Sequence, residues 1–197
     1  MPRAGLGPDR VLQEGLRLLD EEGVAAVSLA TLATRLGVKR PSLYNHVSST
    51  EALRDGLLIL VLDDVAQAVE KTLSRSGRAA LMELMQTLRA YVVRYPRRID
   101  LLLLSAEGGG PELRHAAERL YSLVMNVLAD YGLTGARAVH AVRTLRALWL
   151  GFSLIDTQGG YAMDVPVEES FRFAMEAMHK FFAGARGKSQ SARSGPQ

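Results

Sequence analysis

The sequence predicts an all-α protein, and three observations carry that expectation. Ala, Leu, Arg, Glu and Met are abundant among the 197 residues, and all five favour helix. Apolar side chains recur three and four positions apart, the period of one helical face, instead of alternating as on a strand. Gly and Pro fall between these periodic runs and mark their ends. With 48% hydrophobic residues, the chain can bury one sizeable core, or those of a small head domain and a larger body.

Residues 1–8, with Pro2, Gly5, Gly7 and Pro8, read as a lead-in. Asp9 is placed to cap a first helix over 10–22, with Val11, Leu12, Leu16 and Leu19 inward, Gly15 beside them and Gly23 closing it. Ser28 caps a short second helix, in which Leu29, Leu32, Ala33 and Leu36 follow the i, i+3, i+4, i+7 rule. Gly37 ends that helix, Val38 plugs the turn, and Pro41 suits the start of a third helix over about 40–47. The run Ser48-Ser49-Thr50 caps a long fourth helix towards Leu73. After a break at 74–77, helices are expected near 78–94, 97–106, 111–131, 135–157 and 167–183. From Gly184 no apolar residue larger than Ala follows, and 184–197 are expected to be a disordered tail. The domains so drawn are a head at 1–50, a body at 51–183 and that tail.

The absence of cysteine excludes disulfides, thiolate metal sites and thiol nucleophiles, and suits a reducing, cytoplasmic setting. No secretory signal is read at the N-terminus, and the apolar run Leu57–Leu62 is far shorter than a membrane span needs. The net charge of +3 is too modest to argue for nucleic acid on its own.

The distribution is more telling. Residues 28–50, SLATLATRLGVKRPSLYNHVSST, form two short helices about a tight turn, a helix-turn-helix whose second helix lies in a major groove when DNA is bound. Leu43 and Val47, four apart, can pack back on Leu29, Leu32 and Leu36. Pro41, Ser42, Tyr44 and Asn45 then point outward, flanked by Arg40 and His46, a set suited to base edges and phosphates. The same stretch contains Arg35, Lys39 and Arg40 and no acid.

The run LGVKRPSLYNHV followed by SSTEAL closely resembles the recognition region of the tetracycline-repressor (TetR) family, and the likeness spans roughly residues 9–65. The resemblance implies DNA contacts from Ser28, Lys39, Arg40, Ser42, Tyr44 and His46, with the hydroxyls of Ser28 and Tyr44 mainly at phosphates and Pro41 and Asn45 against base edges. Where the family usually has Lys before the Glu that opens the fourth helix, this chain has Thr50, a weaker candidate for a phosphate contact.

One such head buries too little DNA surface for selective binding alone, so two are expected about one helical turn, ~34–36 Å, apart. The last two helices carry apolar stripes that a homodimer could pair: Val142, Leu145 and Phe152 on one, Phe171, Ala174, Met178 and Phe181 on the other. The resemblance also implies a helical ligand-binding body with a small apolar effector, whose binding shifts the fourth helix and spreads the heads. Met82, Met85, Tyr91, Leu103, Tyr121, Met125 and Trp149 are the candidates to line its cavity, although Met is as often a core gap-filler.

Other signals are set aside. The GARGKS run at 184–189 lacks the spacing of a phosphate loop, and Glu112, His115 and Glu118 read as a solvated helix face. No catalytic motif is present, no cofactor or metal is expected, and the chain is not read as an enzyme. The expected function is a ligand-responsive repressor of a palindromic operator. A helical protein–protein adaptor without DNA binding is the alternative.

Overall fold

The computed structural model describes residues 6–104 and 108–191, with side chains up to Gly184. Every regular element among them is helical: α1 (Pro8–Glu22), α2 (Leu29–Leu36), α3 (Arg40–Tyr44), α4 (Thr50–Thr72), α5 (Gly77–Arg94), α6 (Ile99–Leu102), α7 (Pro111–Ala129), α8 (Gly135–Thr157) and α9 (Val167–Ser191), with short 3-10 turns at Val24–Ala26 and Pro96–Arg98. The chain divides into two compact units. The first comprises 1–64 and 95–118, the second 65–94 and 119–197.

In the first unit, α1 buries Val11, Leu18 and Leu19, and α4 presents Leu53 and Leu57 to the same core. A glycine on each of α1 and α4 makes room for a leucine of the other helix. A Cβ built on Gly56 would lie 2.7 Å from Leu12 Cδ2, and one on Gly15 3.1 Å from Leu57 Cδ2. A buried arginine ties the unit together. Arg98 donates to both carboxylate oxygens of Asp20 at 2.8 Å and to Asp64 at 2.9 Å, and its guanidinium lies 3.9 Å from the Tyr95 ring centre.

The second unit packs α5 against α8 and α9. Leu81, Leu84 and Met85 of α5, Leu145, Trp149 and Leu150 of α8, and Phe171, Met175 and Phe182 of α9 are buried. Its ion pairs join elements far apart in sequence: Arg119 with Glu70 at 2.7 Å, Arg78 with Glu176, and Arg89 with both Asp156 and Glu168.

Several boundaries differ from expectation. The first helix begins two residues early, because Pro8 is pre-set for a first turn, and Gly7, not Asp9, precedes it. Asp9 instead sits in the first turn, where a carboxylate favours the positive helix end. The expected helix over 97–106 is a 3-10 turn followed by the four residues of α6, and positions 105–107 lie outside the described residues. The final helix continues to Ser191, into the stretch expected to be disordered. Gly184 and Gly187 each cost about 1 kcal/mol there, but Ala185, Arg186, Lys188 and Gln190 beside them are good helix formers. The remainder of that tail, 192–197, lies outside the described residues.

Candidate nucleic-acid interface and body cavity

The head is built by local rules. The amide of Thr31 donates to Ser28 Oγ at 3.1 Å, capping α2. Gly37 ends it at φ 67°, a left-handed conformation that disfavours side chains, and the Val38 amide reaches back to the Ala33 carbonyl. Helix α3 has only five residues, yet the Val47 amide still donates to the Leu43 carbonyl at 2.9 Å. That bond holds Val47 at its helical position beyond the formal end of α3. Leu43 and Val47 are both buried, as are Leu29 and Leu32 on α2, whereas Leu36 is half-buried.

With its apolar side so anchored, α3 turns the other side outward. Lys39, Arg40, Pro41 and Asn45 are exposed, Tyr44 is 47% exposed, and Ser42 and His46 are half-buried. Among the described residues, no side-chain hydrogen bond or ion pair engages Lys39, Arg40, Tyr44, Asn45 or His46. Ser28 stands differently. Its hydroxyl caps α2 and lies 2.8 Å from Thr31 Oγ1, so a DNA contact there would share an oxygen already in use. Thr50 opens α4 and is half-buried. Ser49 supplies the cap that the serine run announces, accepting from the Ala52 amide at 3.1 Å.

One cation counted towards this surface does not serve it. Arg35 donates to three carboxylates of α1: Glu21 at 2.6 Å, Glu14 at 2.9 Å and Glu22 at 3.1 Å. The Glu21 bond foremost, then the Glu14 bond, holds its guanidinium still more firmly protonated than usual. Burial works to raise the Glu14 pKa, but the hydrogen bonds from Arg35 and Arg17 outweigh it and leave the carboxyl below its ordinary value. Arg35 therefore braces α2 against α1, and the positive charge on the reading side falls to Lys39 and Arg40.

The candidates for a body cavity are scattered. Met85, Tyr91 and Trp149 are buried, Met82 and Met125 half-buried, and Tyr121 is 41% exposed. Leu103 belongs to the first unit and is 50% exposed, which removes it from a cavity of the second. The second unit does hold a cavity, of about 210 Å³, between α5 and α9. Its buried wall is Arg89, Phe171 and Met175, with Met82 beside them; Gln86, Ala90, Glu168 and Arg172 form the exposed edge. Of the sequence candidates only Met82 lines it. The other candidates are apolar residues placed elsewhere in the chain, whereas this wall includes the buried Arg89.

Among the described residues of this unit, three buried polar atoms have no hydrogen-bond partner: Arg89 Nε, Trp149 Nε1 and Ser153 Oγ. Each such atom costs about 1–3 kcal/mol of stability. Trp149, Ser153 and Asp156 follow i, i+4, i+7 spacing, so the two α8 orphans share the helix face whose Asp156 pairs with Arg89.

The apolar stripes assigned to pairing divide in the same way. Leu145 and Phe171 are buried within the protomer, and Phe171 packs edge-on to Phe152 at 5.4 Å, so neither is free to face a second copy. Val142, Phe152, Ala174 and Met178 are half-buried. Phe181 is 68% exposed, and Phe173, which lies outside the predicted stripe, is 78% exposed.

Comparison with known proteins agrees with this architecture. The family model described as bacterial regulatory proteins, tetR family, matches residues 11–57, and that of the tetracyclin repressor-like C-terminal domain matches 81–178. The uncharacterized HTH-type transcriptional regulator Rv0681 of Mycobacterium tuberculosis is 34% identical over 160 residues, 79% of this chain and 72% of its own length. The uncharacterized HTH-type transcriptional regulator YobS of Bacillus subtilis is 28% identical over 176 residues, 88% of this chain and 91% of its own. Among solved structures, apo ActR from Streptomyces coelicolor superposes with a TM-score of 0.70 at 24% identity, covering 95% of this chain and 99% of that one. ActR has also been solved in complex with actinorhodin. The chain belongs to the TetR family of DNA-binding bacterial transcriptional regulators.

Proposed function

We propose that this regulator is a ligand-responsive repressor that grips a palindromic operator as a homodimer and lets go when its body binds a small, largely apolar effector. The observation that carries the DNA half is the outward side of α3. Lys39, Arg40, Tyr44, Asn45 and His46 combine cations, a hydroxyl, an amide and an imidazole, and none is tied to a described neighbour by its side chain. Side chains of this kind, held on a helix braced by Leu43, suit phosphates and base edges. Lys39 and Arg40 would neutralise phosphates, Tyr44 and Ser28 would donate hydroxyls to them, and Pro41, Ser42, Asn45 and His46 would meet bases. Thr50 would add a neutral contact.

The dimer half draws on Phe173 and Phe181, two large aromatic rings exposed on α9 and separated by about two turns. The effector half draws on the body cavity and on what ActR binds. No helix among the described residues is long and apolar enough to cross a membrane.

Selection of bound duplexes from a random pool tests the reading. The expected result is a palindromic consensus, and Tyr44→Ala together with His46→Ala should abolish its binding while leaving helicity and oligomeric state unchanged. No selected duplex, or the same duplex affinity in the double variant, would favour a protein–protein adaptor.

A further inference from the structure

We propose that the groove between α5 and α9 binds a small single-ring aromatic carboxylate, its charge met by Arg172 and its ring lying against Phe171, Met82 and Met175. The proposal rests on the reading of the body as the effector-binding half, and it adds the place and the chemistry of the ligand.

Two ion pairs bracket the groove. Arg78 of α5 meets Glu176 of α9, and Arg89, further along α5, meets Glu168, further back on α9, so the two helices run antiparallel. Between these clasps they leave about 210 Å³. On α9, Glu168, Phe171, Arg172 and Met175 follow i, i+3, i+4, i+7 spacing and form the wall that faces α5. The exposed rings of Phe173 and Phe181 lie on roughly the opposite side of the same helix, so the groove is not on the side offered to a second copy.

Size and wall fix the body of the ligand. The volume equals roughly seven waters at liquid density, room for one ring and a short chain. Phe171 and Met175 are buried and make an apolar floor, with half-buried Met82 beside them. A ring and two deformable thioethers favour a flat aromatic body.

Charge fixes the head group. Arg89 is committed to Asp156 and Glu168, and Glu168 to Arg89. Arg172 stands apart: it is exposed at the edge of the groove, and among the described residues no hydrogen bond or ion pair engages its side chain. The Glu168 carboxyl is held below its ordinary value, foremost by the hydrogen bond from Arg89 and least by the charge of Arg172, which puts that charge beside the groove without tying it to Glu168. Arg172 is therefore able to take a carboxylate from solution, and Gln86, exposed on the α5 edge, can donate its amide to the same group. A cationic ligand would meet Arg172 with no uncommitted carboxylate in this wall to pair with.

The test uses the full-length protein with labelled methionine methyls and two probes of one shape, phenylpropanoate and its neutral amide, phenylpropanamide. Both should bind saturably and move the Met82 and Met175 methyl resonances, leaving that of the exposed Met163 in place. The carboxylate should bind about tenfold tighter than the amide. Arg172→Gln changes an exposed position and leaves the core untouched; it should bring that ratio close to one with little change in the affinity for the amide. Binding of neither probe, equal affinity for the two in the parent protein, an unchanged ratio in Arg172→Gln, or shifts confined to methionines away from the groove would overturn the proposal. Duplex affinity measured in the same samples separates the two readings. Phenylpropanoate that binds as described yet leaves duplex affinity unchanged upholds this site and sinks the effector role.

Discussion

Replacing Arg98 with Met should weaken the first unit by about 2–3 kcal/mol. The guanidinium is 6% exposed and makes two bonds to Asp20 and one to Asp64, besides its contact with the Tyr95 ring. Breaking a fully buried pair costs about 3–5 kcal/mol, because the abandoned charge stays dry. Here the partners can partly rehydrate: the Asp20 side chain is 31% exposed and that of Asp64 51%. That pulls the figure down, while the lost cation–ring contact adds about 1–2 kcal/mol. Met retains the apolar stem, so the change isolates the charge. The sole tryptophan, Trp149, lies in the second unit and would report that unit instead. Amide exchange at Leu18 and Leu19 of α1 is therefore the appropriate assay. Asp20→Asn should cost about as much, and the two changes together should fall short of their sum by about 1 kcal/mol or more. Unchanged or slower exchange in Arg98→Met would mean that the network is no better than apolar packing, and would refute the reasoning.

Two further outcomes follow from the charges. Lys39→Ala should lower the slope of log affinity against log salt by about one unit per protomer. Arg35→Ala should leave that slope unchanged and instead speed exchange in α2, because its charge is spent on Glu14, Glu21 and Glu22. In the second unit, Arg119, Arg89 and Arg78 hold Glu70, Glu168 and Glu176 below their ordinary value of 4.5, chiefly through side-chain hydrogen bonds. A carboxyl whose folded pKa is depressed contributes stability above its unfolded pKa and loses it as pH falls through the folded one. The urea midpoint should therefore decline below about pH 4.5, and less steeply in Glu70→Gln and Glu176→Gln.

The head was readable because its determinants are local. A cap at Ser28, a left-handed glycine at 37 and apolar residues four apart settle which way α3 faces, and Val47 is buried even though α3 formally stops at Tyr44. What escaped is pairing across distance. Arg35 meets partners 13 to 21 residues away, and Arg89 meets Glu168 79 residues away, so neither spacing nor composition distinguishes a cation held internally from one offered to DNA. The cavity was missed for a related reason. Large apolar side chains lead to core positions such as Met85 and Tyr91, whereas the cavity wall between α5 and α9 includes the polar side chains of Gln86, Arg89 and Arg172. The stripes on α8 and α9 likewise could not separate Phe171, facing its own core, from Phe181, facing out.

The glycines at 15 and 56 have a mechanical consequence. Over each glycine lies a leucine of the facing helix, Leu12 over Gly56 and Leu57 over Gly15, so the two helices key into one another at these points. A methyl group at either glycine would press on that leucine and force it to shift, without altering a single charge.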